Sequence, residues 1–185
     1  MFGPKGSTAM VKSEQRVLFF VELHLEELFE NDLAKLIASI LVCQLAAVAS
    51  GYFAAPIVGY WYGGITNPDS ASAIWVLGIV WAFLYLLIGI ALYLAWKRIE
   101  RPGAGRAIEF FAIQLGLNVV WAIAFFGLKS PVAGLASILL LWVALELTIV
   151  EFWKLNQWAS ALLVPHLAWV SLAAYLNYSV WKLNG

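Results

Sequence analysis

The side chains that could do chemistry in this sequence are aromatic before they are ionisable. Ten tryptophans, seven tyrosines and eleven phenylalanines stand against two histidines and one cysteine in 185 residues. Trp81, Trp121, Trp142 and Trp169 fall deep inside apolar runs. An indole there is costly unless its N–H finds a partner and its rings pack or bind something. At helical spacing, Gly78, Trp81, Tyr85 and Leu92 share one stripe, and Gln114, Asn118, Trp121 and Phe125 a second. His166, Trp169, Ala173 and Leu176 form a third, and Trp142 with Glu146 marks a fourth face. These stripes are candidate pocket walls. For the four deep indoles, ligand contact and plain core packing stand as equal alternatives, and the amides Gln114 and Asn118 also suit hydrogen bonds between helices. Trp75, Trp96, Trp153, Trp158 and Trp181, near the ends of apolar runs, read as interfacial belt residues.

Other chemistries are missing from the sequence. It carries no catalytic triad, metal-ligand cluster or phosphate loop. Cys43 stands alone, which excludes a disulfide framework, a CxxC redox pair and a cysteine zinc site. Eleven Lys and Arg balance eleven Asp and Glu with no basic tract, so nucleic acid is excluded as a partner.

The elements that must position these residues follow from composition. With 63% apolar and 12% charged residues, the chain has more hydrophobic surface than one soluble core could bury, and it reads as an all-α membrane protein. Five apolar runs are long enough to cross a bilayer: about Leu36 to Tyr60, Ile74 to Trp96, Ala107 to Leu128, Val132 to Trp153 and Trp158 to Trp181. Turn residues separate them: Gly63, Gly64, Asn67 and Pro68, then Arg101, Pro102 and Gly103, then Lys129, Ser130 and Pro131. Lys154 to Gln157 predicts a four-residue turn, making the last two helices antiparallel neighbours. Gln114, Asn118, Glu146 and Glu151 lie inside spans and should face protein. Lys35, Lys97, Arg98, Arg101, Arg106 and Lys154 fall on one side, against Lys129 and Lys182 on the other, which places the N-terminus on the cytoplasmic-type face. Residues 1–33 read as an N-terminal extension, and residues 34–185 as the five-helix domain. Within the extension Glu22, Glu26 and Glu30, opposite Leu18, Val21, Leu25 and Leu28, predict an acidic amphipathic helix.

Five motifs occur in order along the chain: Trp61-Tyr62-Gly63-Gly64; Trp75 through Gly78 and Trp81 to Tyr85; Gln114-Leu115-Gly116-Leu117-Asn118 to Trp121; Phe125-Phe126-Gly127; and Pro165-His166-Leu167-Ala168-Trp169 on to Leu176-Asn177. Together they resemble the tryptophan-rich sensory protein and translocator protein family, also called the peripheral benzodiazepine receptor family, from about Ala34 to Asn184. The resemblance implies a dimeric five-helix protein with a pocket opening toward the first loop. Its ligands would be porphyrins such as protoporphyrin IX and haem, with no cofactor required, and also sterols and benzodiazepine-type drugs. It implies a multi-pass protein of a bacterial or archaeal cell membrane, or of the mitochondrial outer membrane. Carried over by position, the ligand contacts are Trp61 and Tyr62, Trp81 and Tyr85, Asn118 and Trp121, and Trp169 and Ala173. Trp142 and His166 join them from the helical stripes.

The chain departs from the family pattern in three places. Asn67-Pro68-Asp69-Ser70-Ala71-Ser72-Ala73 replaces a loop that usually offers a lysine, an aromatic and paired prolines, so a propionate partner and a stiff lid are missing. His166 stands where the family has tyrosine, and the N-terminal extension is longer than the family needs. A neutral imidazole at position 166 would either hydrogen-bond a neighbouring helix or ligate haem iron axially. Leu176, Tyr178 and Lys182 fit a loose sterol pattern, which an ordinary helix end would also produce. Ala112 and Gly116 form a small-xxx-small pair on the third helix, the expected dimer contact. The leading expectation is therefore a tetrapyrrole-binding regulatory or transport protein. The alternative is an enzyme that degrades porphyrin oxidatively, using Trp81 and Trp169. A carrier with an ionisable relay would have to use Glu146, Glu151 and His166, whose spacing does not form a chain.

Overall fold

A computed structural model describes residues 31–57, 64 and 74–184, with side chains from 31–55, 64 and 78–184. The order is α1 (Asp32–Ile57), α2 (Ile74–Trp96), α3 (Ala104–Ala122) running into a π turn (Ile123–Gly127), α4 (Pro131–Leu155), α5 (Gln157–Ala161) and α6 (Val164–Asn184). No strand occurs among these residues. Five helical stretches are long and apolar enough to span a membrane, with α5 and α6 together making the fifth. The all-α, five-span reading is thus borne out. The acidic helix expected before Asn31, and the first loop with Trp61 and Tyr62, lie outside the described residues.

Local chemistry sets the boundaries. Asn31 Oδ1 accepts hydrogen bonds from the N–H groups of Leu33 (2.9 Å) and Ala34 (3.4 Å), capping α1. Gly103 takes φ 87°, a left-handed conformation that only glycine adopts freely, and turns the chain into α3. Ser130 Oγ accepts from Ala133 N–H at 3.2 Å, and Pro131 follows in the first helical position of α4, where its missing N–H costs nothing. The turn expected over Lys154 to Gln157 is shorter than four residues. Helix α4 runs to Leu155, and the side chain of the extended Asn156 accepts from Trp158 N–H (2.9 Å) and Ala159 N–H (3.3 Å), so one residue ends α4 and caps α5. The π turn was not legible in the sequence. There Leu128 N–H reaches back five residues to Ile123 O at 2.8 Å, a widened coil that leaves both Phe125 and Phe126 buried.

Charge gathers where α1 and α3 begin and α2 and α4 end. Lys97 Nζ donates to Asp32, a bond that holds the lysine amine above its ordinary pKa, with Tyr93 adding to the effect. Arg101 Nη1 donates to Leu155 O at 2.8 Å, satisfying a carbonyl at the C-terminus of α4. Arg106 (3.2 Å) and Lys154 (2.8 Å) both pair with Glu151, so this intramembrane carboxylate does face protein. Further in, Phe111 of α3 stacks on Phe152 of α4 with centroids 5.6 Å apart. Helices α1 and α2 approach closely at Gly89, where a Cβ would lie 2.8 Å from Ile40 Cα. The outer faces are apolar, as at Leu41, Leu45, Leu140 and Val150, and this surface suits hydrocarbon.

Candidate ligand-binding cavity

Between α1, α2, α6 and the end of α3 with its π turn lies a cavity of about 560 Å³. That volume is in the range of small-molecule sites. Its aromatic wall is continuous. Trp81 of α2 stacks on Trp121 of α3 with ring centroids 5.7 Å apart and planes 21° from parallel, and Trp121 stacks in turn on Phe125 at 5.9 Å and 14°. Phe126 stands edge-on to Phe125 at 4.9 Å. Trp169 of α6 meets Trp81 edge-to-face at 6.5 Å, and Tyr85 lies one turn along α2, 5.7 Å from Trp81. Offset and edge-to-face contacts of this kind are the favourable geometries for π systems.

The opposite wall is built from α1, which presents Gln44, Ala47, Val48, Ser50, Gly51, Ala54 and Ala55. These positions were missed in the sequence reading, although their small residues recur at helical spacing. Small side chains here leave the volume that the indoles face. Gln44 Nε2 donates to Ala82 O at 3.3 Å, and Ser50 Oγ to Ala46 O at 2.9 Å. From α6, Leu176 and Asn177 join Trp169 and Ala173. Asn177 Oδ1 accepts from Trp121 Nε1 at 3.2 Å, while its Nδ2 donates to Pro131 O at 2.7 Å. Among the described residues the buried Trp169 Nε1 and Tyr85 Oη have no hydrogen-bond partner. The described lining contains no Lys, Arg, Asp, Glu, His or Cys, so the cavity offers stacking surfaces and a few neutral donors and acceptors.

Of the residues expected from the sequence, Trp81, Tyr85, Trp121, Trp169, Ala173 and Leu176 meet at this cavity. Trp61 and Tyr62 lie outside the described residues. The others are placed elsewhere. Trp142 is 37% exposed on the outside of the bundle, its Nε1 donating to Ser171 Oγ at 2.9 Å across the α4–α6 seam. The inward positions beside it on α4 belong to Leu141 and Leu145. Asn118 is buried but outside the lining, and its Nδ2 donates within its own helix to Gln114 O (2.9 Å) and Oε1 (3.2 Å), not to a neighbouring helix. His166 is fully enclosed, with Trp81 (6.0 Å) and Tyr85 (6.4 Å) against its ring. It does not line the cavity, and neither of its nitrogens has a partner among the described residues. The residues of the sterol pattern separate: Leu176 lines the cavity, whereas Tyr178 and Lys182 are exposed. Positions two apart on a helix point in nearly opposite directions, so these three make no common face. Ala112 and Gly116 lie on an exposed face of α3, with nothing within 4 Å of a Cβ placed at Gly116. Among the described residues no group of His, Cys, Asp and Glu is placed to hold a metal ion.

Comparison with known proteins agrees with this architecture. Residues 39–182 match the profile of the TspO/MBR family. The chain is 41% identical over 153 residues to the tryptophan-rich protein TspO of Archaeoglobus fulgidus, an alignment covering 83% of this chain and 99% of that relative. It is 33% identical to the protein CrtK of Rhodobacter capsulatus over 150 residues, 80% of this chain and 92% of the relative. The human translocator protein is 36% identical over 126 residues, 67% of this chain and 75% of its own.

Proposed function

The chain belongs to the TspO/MBR family, and from that premise we propose that this membrane protein binds a flat, conjugated tetrapyrrole in the cavity between α1, α2, α3 and α6. The observation that carries the proposal is the run of stacked rings from Trp81 through Trp121 to Phe125, facing small residues of α1. A planar macrocycle gains most from such a wall, because it can cover several rings at once. The neutral lining supplies no counter-charge to propionates. Nor does the loop over residues 58–73 contain Lys or Arg. The carboxylates of a bound porphyrin would therefore stay in water at the mouth. For haem, the described lining has no imidazole or thiol, and the phenol of Tyr85 is the haem-ligand type it offers. Regulatory or transport work, and a homodimer across Ala112 and Gly116, complete the reading.

The deciding experiment is a titration of the purified protein with protoporphyrin IX, following tryptophan fluorescence. Saturable quenching that is weakened by Trp81→Ala supports the reading, and wild-type protein that shows no saturable quenching sinks it. A second reading rests on the edge-to-face contact of Trp81 with Trp169, whose N–H has no partner among the described residues. Two adjoining oxidisable indoles beside a bound porphyrin would suit oxidative degradation of that porphyrin with dioxygen as the electron acceptor. Light-dependent loss of the Soret band, abolished by Trp81→Phe or Trp169→Phe, would favour the enzyme. A stable Soret band under illumination in wild type would leave binding alone.

A further inference from the structure

Asn177 joins three parts of the bundle through one buried amide. It sits on α6 with 2% exposure, accepts the indole N–H of Trp121 from α3, and donates to Pro131 O at the start of α4. The two ends of the amide are not interchangeable here. Turned over, the NH₂ would face another donor and the oxygen another acceptor, so both bonds would be lost at once. The pair of bonds therefore sets the orientation of the amide and, through it, the place of the indole N–H.

Sterics reinforce the arrangement from α4. A Cβ on Gly134 would lie 2.7 Å from both Asn177 Oδ1 and Phe125 Cδ2, so only glycine allows the amide and the Phe125 ring to share that space. Gly134 does not line the cavity. Trp121, by contrast, is the middle ring of the aromatic wall, between Trp81 and Phe125. Without an acceptor its N–H would be unsatisfied in a low-dielectric interior, and the ring would turn toward whatever acceptor it could find.

We infer that Asn177 is the positioning residue that holds the Trp121 indole in its stack between Trp81 and Phe125, and that it thereby sets the preference of the cavity for flat over folded ligands. The inference rests on the binding reading proposed above for the choice of ligand. Its geometric half, the control of the Trp121 ring by Asn177, stands apart from that reading.

The test uses the full chain in lipid nanodiscs with two probes, protoporphyrin IX and bilirubin, an open-chain tetrapyrrole that folds out of plane. Asn177→Leu should weaken protoporphyrin binding roughly three- to tenfold, the scale of one hydrogen bond, and change bilirubin binding less. The indole ¹H–¹⁵N resonance of Trp121, assigned by its loss in Trp121→Phe, should move in Asn177→Leu. In a Trp121→Phe background, Asn177→Leu should cost no further affinity, because the group it acts through is gone. Gly134→Ala, which alters no lining side chain itself but presses on the Asn177 amide and the Phe125 ring, should shift resonance and selectivity the same way, and it carries the comparison if Asn177→Leu does not fold. Independent, additive losses from Asn177→Leu and Trp121→Phe would overturn the inference, as would equal weakening of both ligands. Wild type that binds neither probe would fail the binding reading and with it the selectivity half, while an unmoved Trp121 resonance would fail the geometric half alone.

Discussion

The indoles of Trp81 and Trp121 lie against each other with centroids 5.7 Å apart and planes 21° from parallel. They come from different helices, and both line the cavity together with Trp169 of α6 and the small residues of α1. The consequences of that lining can be measured.

Loss of an indole should matter by position and not by number. Trp81→Ala removes a ring in contact with Trp121, Tyr85 and Trp169. It should weaken protoporphyrin IX binding by roughly 1–3 kcal/mol, the scale of one aromatic contact with its buried area. Trp158→Ala alters a residue 76% exposed and remote from the lining, and should leave the quenching titration unchanged. Equal losses from both would refute the placement of the ligand.

Propionate charge should contribute little to affinity. The described lining holds no cationic side chain, so protoporphyrin IX and its dimethyl ester should bind within about threefold of each other, a difference under 1 kcal/mol. A tenfold or greater preference for the free acid in parallel titrations would reveal a cation that the cavity does not show.

The absorption spectrum of bound ferric haem should not depend on position 166. His166 is enclosed by Trp81 and Tyr85 and lies outside the lining. His166→Tyr should therefore leave the Soret and visible bands in place. Loss of a low-spin histidine-type spectrum in that variant would show that the imidazole reaches the iron.

Gly89→Ala should destabilise the bundle from a position outside the cavity lining. Its Cβ would press on the backbone of Ile40 at 2.8 Å, which obliges α1 and α2 to part. Overpacking of this kind costs about 1–3 kcal/mol, read as a lower thermal midpoint in detergent. A midpoint equal to wild type would mean that the two helices separate freely.

Gly116→Leu should act on association and not on the fold. The added side chain meets open space within one subunit, and Ile113 and Val120 on the same helix are also exposed. The variant should keep its thermal midpoint while crosslinking in detergent shifts toward monomer. A crosslinked dimer that persists unchanged in the variant would remove this face of α3 from the proposed interface.

How much of this was legible in the sequence depended on what each signal measures. The length and apolarity of the runs determined five spans, because a bilayer demands about 20 apolar residues and tolerates no unpaired backbone. Helical periodicity likewise put Trp81 with Tyr85, and Trp169 with Ala173 and Leu176, on common faces, and all five line the cavity. Periodicity cannot say what a face meets. Trp142 and Trp169 both lie deep in apolar helices, yet one hydrogen-bonds Ser171 on the outside while the other lines the cavity. In a membrane the outer face is as apolar as the inner one, so composition does not separate them. The enclosure of His166, the contribution of α1, the π turn and the Asn177–Trp121 bond were decided by tertiary structure alone, because each depends on which helix stands beside which and at what height.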